Sequence, residues 1–341
     1  MRNIVTLIFW LWPLAVFAQE WEDRQVFGPP DAEQTLTILS STDTSLFAPI
    51  IGDFVARFPE VSINYLVTGT ADIDHIFRAN PDGYDLVISS AMDLQLKIAN
   101  DGLARPLPNV AHPAWAHWRK SLFAFTSEPA AIVLNRADFA GHPLPQTRQD
   151  LIEAMRARPE VFRDRVGTYD VRNSGVGYLF ATQDARASET YWRLMEVMGG
   201  LDVRLYCCSG DMIDDLADGT IAVAYNVLGS YATAREESQN SLQVIYPSDF
   251  PTTMMRTAMV SRTAPNPAAA EAFVRHLITL QSLGDTDVFP LPPLNAQLND
   301  TENATIALEP ALMTFLDTLK RRRFLAEWED AVIQERPSIG R

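Results

Sequence analysis

Clusters of hydroxyl-bearing, amide-bearing and small residues stand where strand-like runs give way to helix-like ones. Ser41, Thr42 and Asp43 follow the alternating run Thr35 to Leu39. Gly69 and Thr70 follow Val61 to Val67, and Ser89 and Ser90 follow Tyr84 to Ile88. Asn173, Ser174, Gly175 and Gly177 follow Val166 to Val171. Tyr225 and Asn226 end the run that starts at Ile221, with Tyr231 beyond. Several of these turns open helices, whose first amides lack internal partners and carry partial positive charge. Such a constellation suits a carboxylate or phosphate. Hydrogen bonds to a charged group contribute roughly 1.5–3 kcal/mol each, so four or five support micromolar binding after association costs. Arg172, beside the Asn-Ser-Gly turn, is the candidate cation for that ligand; its alternative is an ordinary surface arginine. The same residue types serve as plain caps and turns. Their recurrence at successive strand ends is what points to a binding site, because open α/β sheets bind ligands beyond the carboxyl ends of their strands.

Other chemistries fit less well. The chain has two cysteines, Cys207 and Cys208, and they are adjacent. That is no disulfide framework, and it does not match the two- to four-residue spacing of zinc ligand pairs. Neighbouring Cα atoms sit ~3.8 Å apart across a trans peptide, below the usual ~4.4–6.8 Å of a disulfide, so a bond between them is strained and easier to reduce. The pair reads either as such a bond or as two buried thiols. His75, His112, His117, His142 and His276 show no metal spacing. Ferric ion needs several hard ligands, and Tyr225 and Tyr231 are not spaced to share one metal. Ser174 lacks a Gly-x-Ser-x-Gly context, and no glycine-rich phosphate loop with lysine occurs. No catalytic residue, metal or cofactor is therefore assigned.

The elements that position these residues alternate. Strand runs at 35–39, 61–67 and 84–88 are separated by helical spacing from Phe47 to Phe58 and from Ala71 to Arg78. That rhythm gives an α/β fold with mostly parallel sheets flanked by helices. Glu20 to Glu33 reads as a loosely ordered polar arm. Long amphipathic helices are expected over 267–280 and 312–330. At 341 residues with 47% hydrophobic content, the chain has room for two lobes. Its 43 acidic against 28 basic residues give a net charge of -15, which argues against nucleic acid and anionic membrane surfaces. Arg2, the apolar run Ile4 to Phe17 and the small Ala18 form a cleavable secretory signal over residues 1–18, so the mature protein is expected in the periplasm.

In its order of elements the chain resembles the extracellular solute-binding proteins of ABC transporters. The stretch Leu36 to Pro106 carries the pattern, with Phe58-Pro59-Glu60-Val61, the Gly69-Thr70 turn and Tyr84-Asp85-Leu86. Ala264-Pro265-Asn266-Pro267 before a helix looks like the return segment. Tyr225 to Ala232 is similar to the branch of the phosphoglycerate transport regulatory protein, a neighbour of the ferric-iron binders. The resemblance implies a two-lobe, type II periplasmic-binding fold joined by two hinge strands. Lobe 1 would be 19–126 plus 251–341, and lobe 2 would be 127–250. It further implies a monomer that closes on a small ligand, here expected to be anionic, and presents it to an ABC permease or a histidine kinase sensor. Ferric-iron binding is the alternative ligand reading, and a secreted hydrolase the alternative of another class.

Overall fold

The computed structural model describes residues 21–238, 240–294 and 305–334, so the expected signal segment lies outside the described residues. The chain runs through β1 (Asp23–Phe27), β2 (Gln34–Ser40), α1 (Thr44–Arg57), β3 (Val61–Val67), α2 (Ile73–Ala79), β4 (Leu86–Ser89), α3 (Met92–Asn100), β5 (His117–Trp118) and β6 (Leu122–Ala124). It crosses into β7 (Glu128–Asn135), α4 (Arg148–Ala157), α5 (Pro159–Phe162), β8 (Val166–Tyr169), α6 (Gly175–Ala187), α7 (Thr190–Gly200), β9 (Arg204–Tyr206), α8 (Ser209–Ala217), β10 (Val223–Leu228), α9 (Gly229–Ser238) and β11 (Leu242–Ile245). It returns through β12 (Thr253–Met254), β13 (Thr257–Val260) and α10 (Pro267–Leu283), and ends in α11 (Thr318–Val332). Among the described residues no helix is long and apolar enough to cross a membrane.

Two sheets result. The first has the order β1-β3-β2-β4-β13-β6-β5 and the second β11-β7-β10-β8-β9. β3, β2 and β4 are mutually parallel, as are β10, β8 and β9. β3, β4, β8 and β10 are buried over nearly their whole length, as expected of strands covered on both faces, whereas β2 is exposed at its start and β9 is half-buried. The strands around them are antiparallel, so each sheet is mixed rather than mostly parallel. α1 turns Phe47, Ile50, Ile51 and Phe54 inward, where Phe54 meets Phe273 of α10.

Two sequence expectations need amending. The polar arm is partly a strand: β1 pairs antiparallel with the free edge of β3. Its residues are exposed on both faces, so no alternation marks it. The C-terminal helix does not belong with lobe 1. α11 lies against α7 and places Phe324, Trp328 and Val332 in the core of the second lobe. Among the described residues the chain thus crosses between the lobes three times.

The first two crossings run side by side, with Thr253 opposite Pro129 and Met254 opposite Glu128. Here Arg256 and Glu128 form a fully buried ion pair, Nε to Oε1 at 3.0 Å and Nη2 to Oε2 at 3.1 Å. Thr126 donates to Glu128 at 2.9 Å and Ser230 of α9 donates at 2.5 Å. Arg256 Nη1 donates to Thr42 at 2.5 Å. A buried pair is tolerated when its remaining donors and acceptors are met, and this network links the end of β2 to the start of α9.

Candidate ligand-binding cleft

The turns after β2, β3 and β4 come together on one side of the gap between the lobes. α8, the end of β10 and the start of α9 face them. They enclose a cleft of about 310 Å³ lined by Ser41, Asp43, Gly69, Thr70, Ser90 and Tyr231, among others. Ser41 ties two of the turns together: its hydroxyl donates to Ser89 Oγ at 3.4 Å and accepts the Ser90 amide at 3.3 Å. Asp43 stands at the start of α1 without capping it, so its exposed carboxylate is left to the cleft. Its amide donates to the Tyr231 hydroxyl at 3.4 Å, a contact between the lobes.

A second contact between the lobes is stronger. Thr70 Oγ1 accepts the amides of Gly175 at 2.9 Å and Val176 at 3.2 Å. Thr70 of one lobe therefore caps the first turn of α6 in the other. Ser174 takes the next amide, that of Gly177, at 3.2 Å. The helix start that the sequence offered to an anion is filled by the protein's own hydroxyls. Gly175 is required here by close approach: a Cβ on it would lie 2.8 Å from the Thr70 carbonyl oxygen.

Several expected site residues lie away from the lining. Thr42 and Ser89 are buried beneath it. Arg172 forms a paired bridge to Asp170, with Nε to Oδ1 and Nη2 to Oδ2 both 2.8 Å, and reaches Glu329 of α11 at 3.4 Å. It fastens the C-terminal helix and is not a free cation. Asn173 completes the same turn by donating to Asp170 at 3.1 Å. Gly177 packs on Tyr169. Tyr225 lies 1% exposed, donating to Asp184 at 2.7 Å and accepting from Arg148 at 2.6 Å. Asn226, at φ +63° in a bulge of β10, also donates to Asp184. These two residues belong to a buried network around Arg148, to which Thr252 and Asp249 add further bonds.

Cys207 and Cys208, expected either as a bonded pair near the cleft or as two buried thiols, are joined to each other and line it. The cleft also holds residues that the sequence did not single out for it: Ser209, Gly210 and Asp211 of α8. Glu22, from the start of the polar arm, lines it too. The Glu22 carboxyl is held above the usual carboxylate range, first by desolvation and then by Asp43, Asp72 and Asp211. Glu22, Asp43 and Asp211 are three carboxylates around one space, and no described lining residue is Lys, Arg or His. The expectation of an anionic ligand meets a wall of the same sign. Nothing in the sequence flagged this, because Glu22 and Asp211 belong to segments that read as solvated.

A family model described as bacterial extracellular solute-binding protein matches residues 68–314. No curated protein matches the chain. The substrate binding protein of an ABC transporter from Agrobacterium tumefaciens superposes with a TM-score of 0.83 at 29% identity, covering 91% of this chain and 98% of that one. The periplasmic binding protein AfuA from Actinobacillus pleuropneumoniae, with fructose-6-phosphate bound, gives 0.72 at 14% identity, covering 89% and 100%. Iron-bound HitA from Pseudomonas aeruginosa gives 0.65 at 14%, covering 87% and 99%. The last two likenesses are of fold alone.

Proposed function

The chain belongs to the bacterial extracellular solute-binding proteins, and from that premise we propose that it captures a small polar solute in the periplasm and delivers it to the permease of an ABC importer. The cleft between the lobes carries the reading. Hydroxyls of Ser41, Thr70, Ser90 and Tyr231 offer hydrogen bonds, while Glu22, Asp43 and Asp211 favour a ligand with a cationic group over a carboxylate or phosphate. An organic cation fits better than bare ferric ion. Among the described residues the one cluster whose ligand atoms lie within 4.8 Å of one another is Cys207, Cys208 and Asp211, so the three carboxylates do not converge on a single point. Lobes of this kind close about a hinge, and the paired strands beside Arg256 and Glu128 are where this one would turn. We read the cleft as binding without chemistry: the Ser174 hydroxyl is engaged by the Gly177 amide, and no histidine lines the space among the described residues.

A thermal-shift screen of the mature protein tests this. Amines and guanidines, neutral polyols, C3–C6 carboxylates and phosphates, and ferric citrate form its arms; a ligand present at a hundred times its Kd stabilises by about 2.7 kcal/mol. The expected hits are cationic solutes, weakened by Asp43→Asn. Shifts confined to anions or to iron would overturn the charge reading, and turnover of any ester or phosphate would overturn the binding-only reading.

A further inference from the structure

We propose that reduction of the Cys207–Cys208 pair opens a site for a thiophilic divalent cation, held by both sulfurs and the Asp211 carboxylate on the cleft wall of lobe 2. The site shares Asp211 with the solute cleft but forms only in the reduced protein, and so goes beyond solute capture by the oxidised one.

The three groups are already gathered. Their ligand atoms lie within 4.8 Å of one another, and Cys207 Sγ stands 3.6 Å from Asp211 Oδ2. The arrangement follows from local structure. Cys208 is the residue at the start of α8, with extended backbone at φ -135° and ψ 151°, and Asp211 is three residues on. Positions i and i+3 share one face of a helix, so the carboxylate lies over the cysteine end. Met212, Ile213 and Leu216 are buried under α8 and fix this frame. Cys207 and Asp211 are exposed and Cys208 is partly so, with all three opening on the cleft.

The chemistry fits a cation that prefers sulfur. The first amides of a helix favour a thiolate placed at its start. Two thiolates and one carboxylate make three protein ligands with a fourth position open to the cleft, the pattern of an exchangeable site rather than of a closed structural one. Asp43 and Glu22 across the cleft add negative charge. The adjacency of the cysteines excludes a finger-type site, but here the third ligand comes from the next turn of α8.

Opening the site needs two electrons and two protons, which a dithiol reductant supplies as it becomes a disulfide. The S–S bond breaks and two thiols form. Metal binding then releases the two thiol protons. In the oxidised form each sulfur is bonded to the other, and Asp211 alone does not hold the ion.

Cadmium ion is the probe, and the mature chain the subject. Thiols are counted before and after treatment with dithiothreitol and its anaerobic removal, and binding is followed by the thiolate-to-cadmium absorption in the ultraviolet. The expected result is no free thiol and no band before reduction, then two thiols and one cadmium per chain after it. Asp211→Asn, at an exposed position, should weaken the cadmium at least about tenfold with unchanged circular dichroism, and Cys208→Ser should abolish the band. Two counted thiols without a band, equal affinity in Asp211→Asn, or binding before any reduction would each overturn the proposal. Organic cations tested on the oxidised chain without metal report on solute capture independently.

Discussion

Replacing Gly175 with alanine separates closure from folding. The added Cβ would lie 2.8 Å from the Thr70 carbonyl oxygen, 2.9 Å from its carbon and 3.0 Å from the Ala91 Cβ, all atoms of the other lobe. Carbon contacts are comfortable at about 3.5–4.0 Å, so α6 and the Thr70 turn must part by roughly half an ångström or more. Parting stretches the bonds from Gly175 and Val176 to Thr70, now 2.9 and 3.2 Å. Overpacking costs about 1–3 kcal/mol, and each neutral hydrogen bond contributes about 0.5–1.5 kcal/mol, part of which water returns. A penalty of about 1–3 kcal/mol on the closed form alone lowers closure roughly 5- to 150-fold. Within lobe 2 the change carries no such clash, because the three nearest atoms all belong to the other lobe. The expected outcome is a larger radius of gyration by small-angle X-ray scattering, with a thermal midpoint that is unchanged. A lowered midpoint with an unchanged radius would refute the reasoning, since the strain would then lie inside the lobe.

Thr70→Val, which removes the acceptor and keeps the shape, should open the lobes in the same assay by a smaller margin of about 1–2 kcal/mol. Arg256→Met strands Glu128 in the hinge and should destabilise by about 3–5 kcal/mol, read from urea midpoints. Tyr225→Phe should cost about 1–3 kcal/mol of stability through Arg148 and Asp184 while leaving solute affinity in the cleft unchanged; a large loss of affinity would return Tyr225 to the ligand. Asp93 is buried at the start of α3 with Oδ1 lacking a partner. Desolvation pushes its pKa up from 3.8 to about 7. A raised carboxyl pKa makes its contribution full below the unfolded value and lost progressively as pH rises to about 7. Asp93→Asn should flatten that part of the stability profile.

Some of this was legible in the chain and some was not. The runs before Ser41, Thr70 and Ser90 are the parallel strands β2, β3 and β4, buried along most of their length, so their apolar content marked them and their polar ends marked the cleft. Tyr225 and Asn226 also follow a strand, but a bulge in β10 turns them into the core beside Asp184. A strand end predicts position and not direction, and the bulge leaves no local signature in Ala224-Tyr225-Asn226-Val227. The sign of the cleft was hidden for another reason. It arises from Glu22, Asp43 and Asp211, which are 21 and 168 residues apart along the chain and meet only once β1 has paired with β3 and α8 faces α1. Arg172 looked like a free cation although its main partner, Asp170, is only two residues back, because spacing alone does not show that the side chain folds back onto it; its second partner, Glu329, lies 157 residues away on a helix expected in the other lobe.

The placement of α11 bears on how the molecule is made. β13, which lies between β4 and β6 in the first sheet, follows β7 to β11 of the second lobe in sequence. Phe324 and Trp328, which fill the second lobe's interior, come later still. A polypeptide emerging amino end first therefore completes neither half until nearly its full length has been delivered. The last fifteen-residue helix sets the moment at which both halves acquire their final interiors.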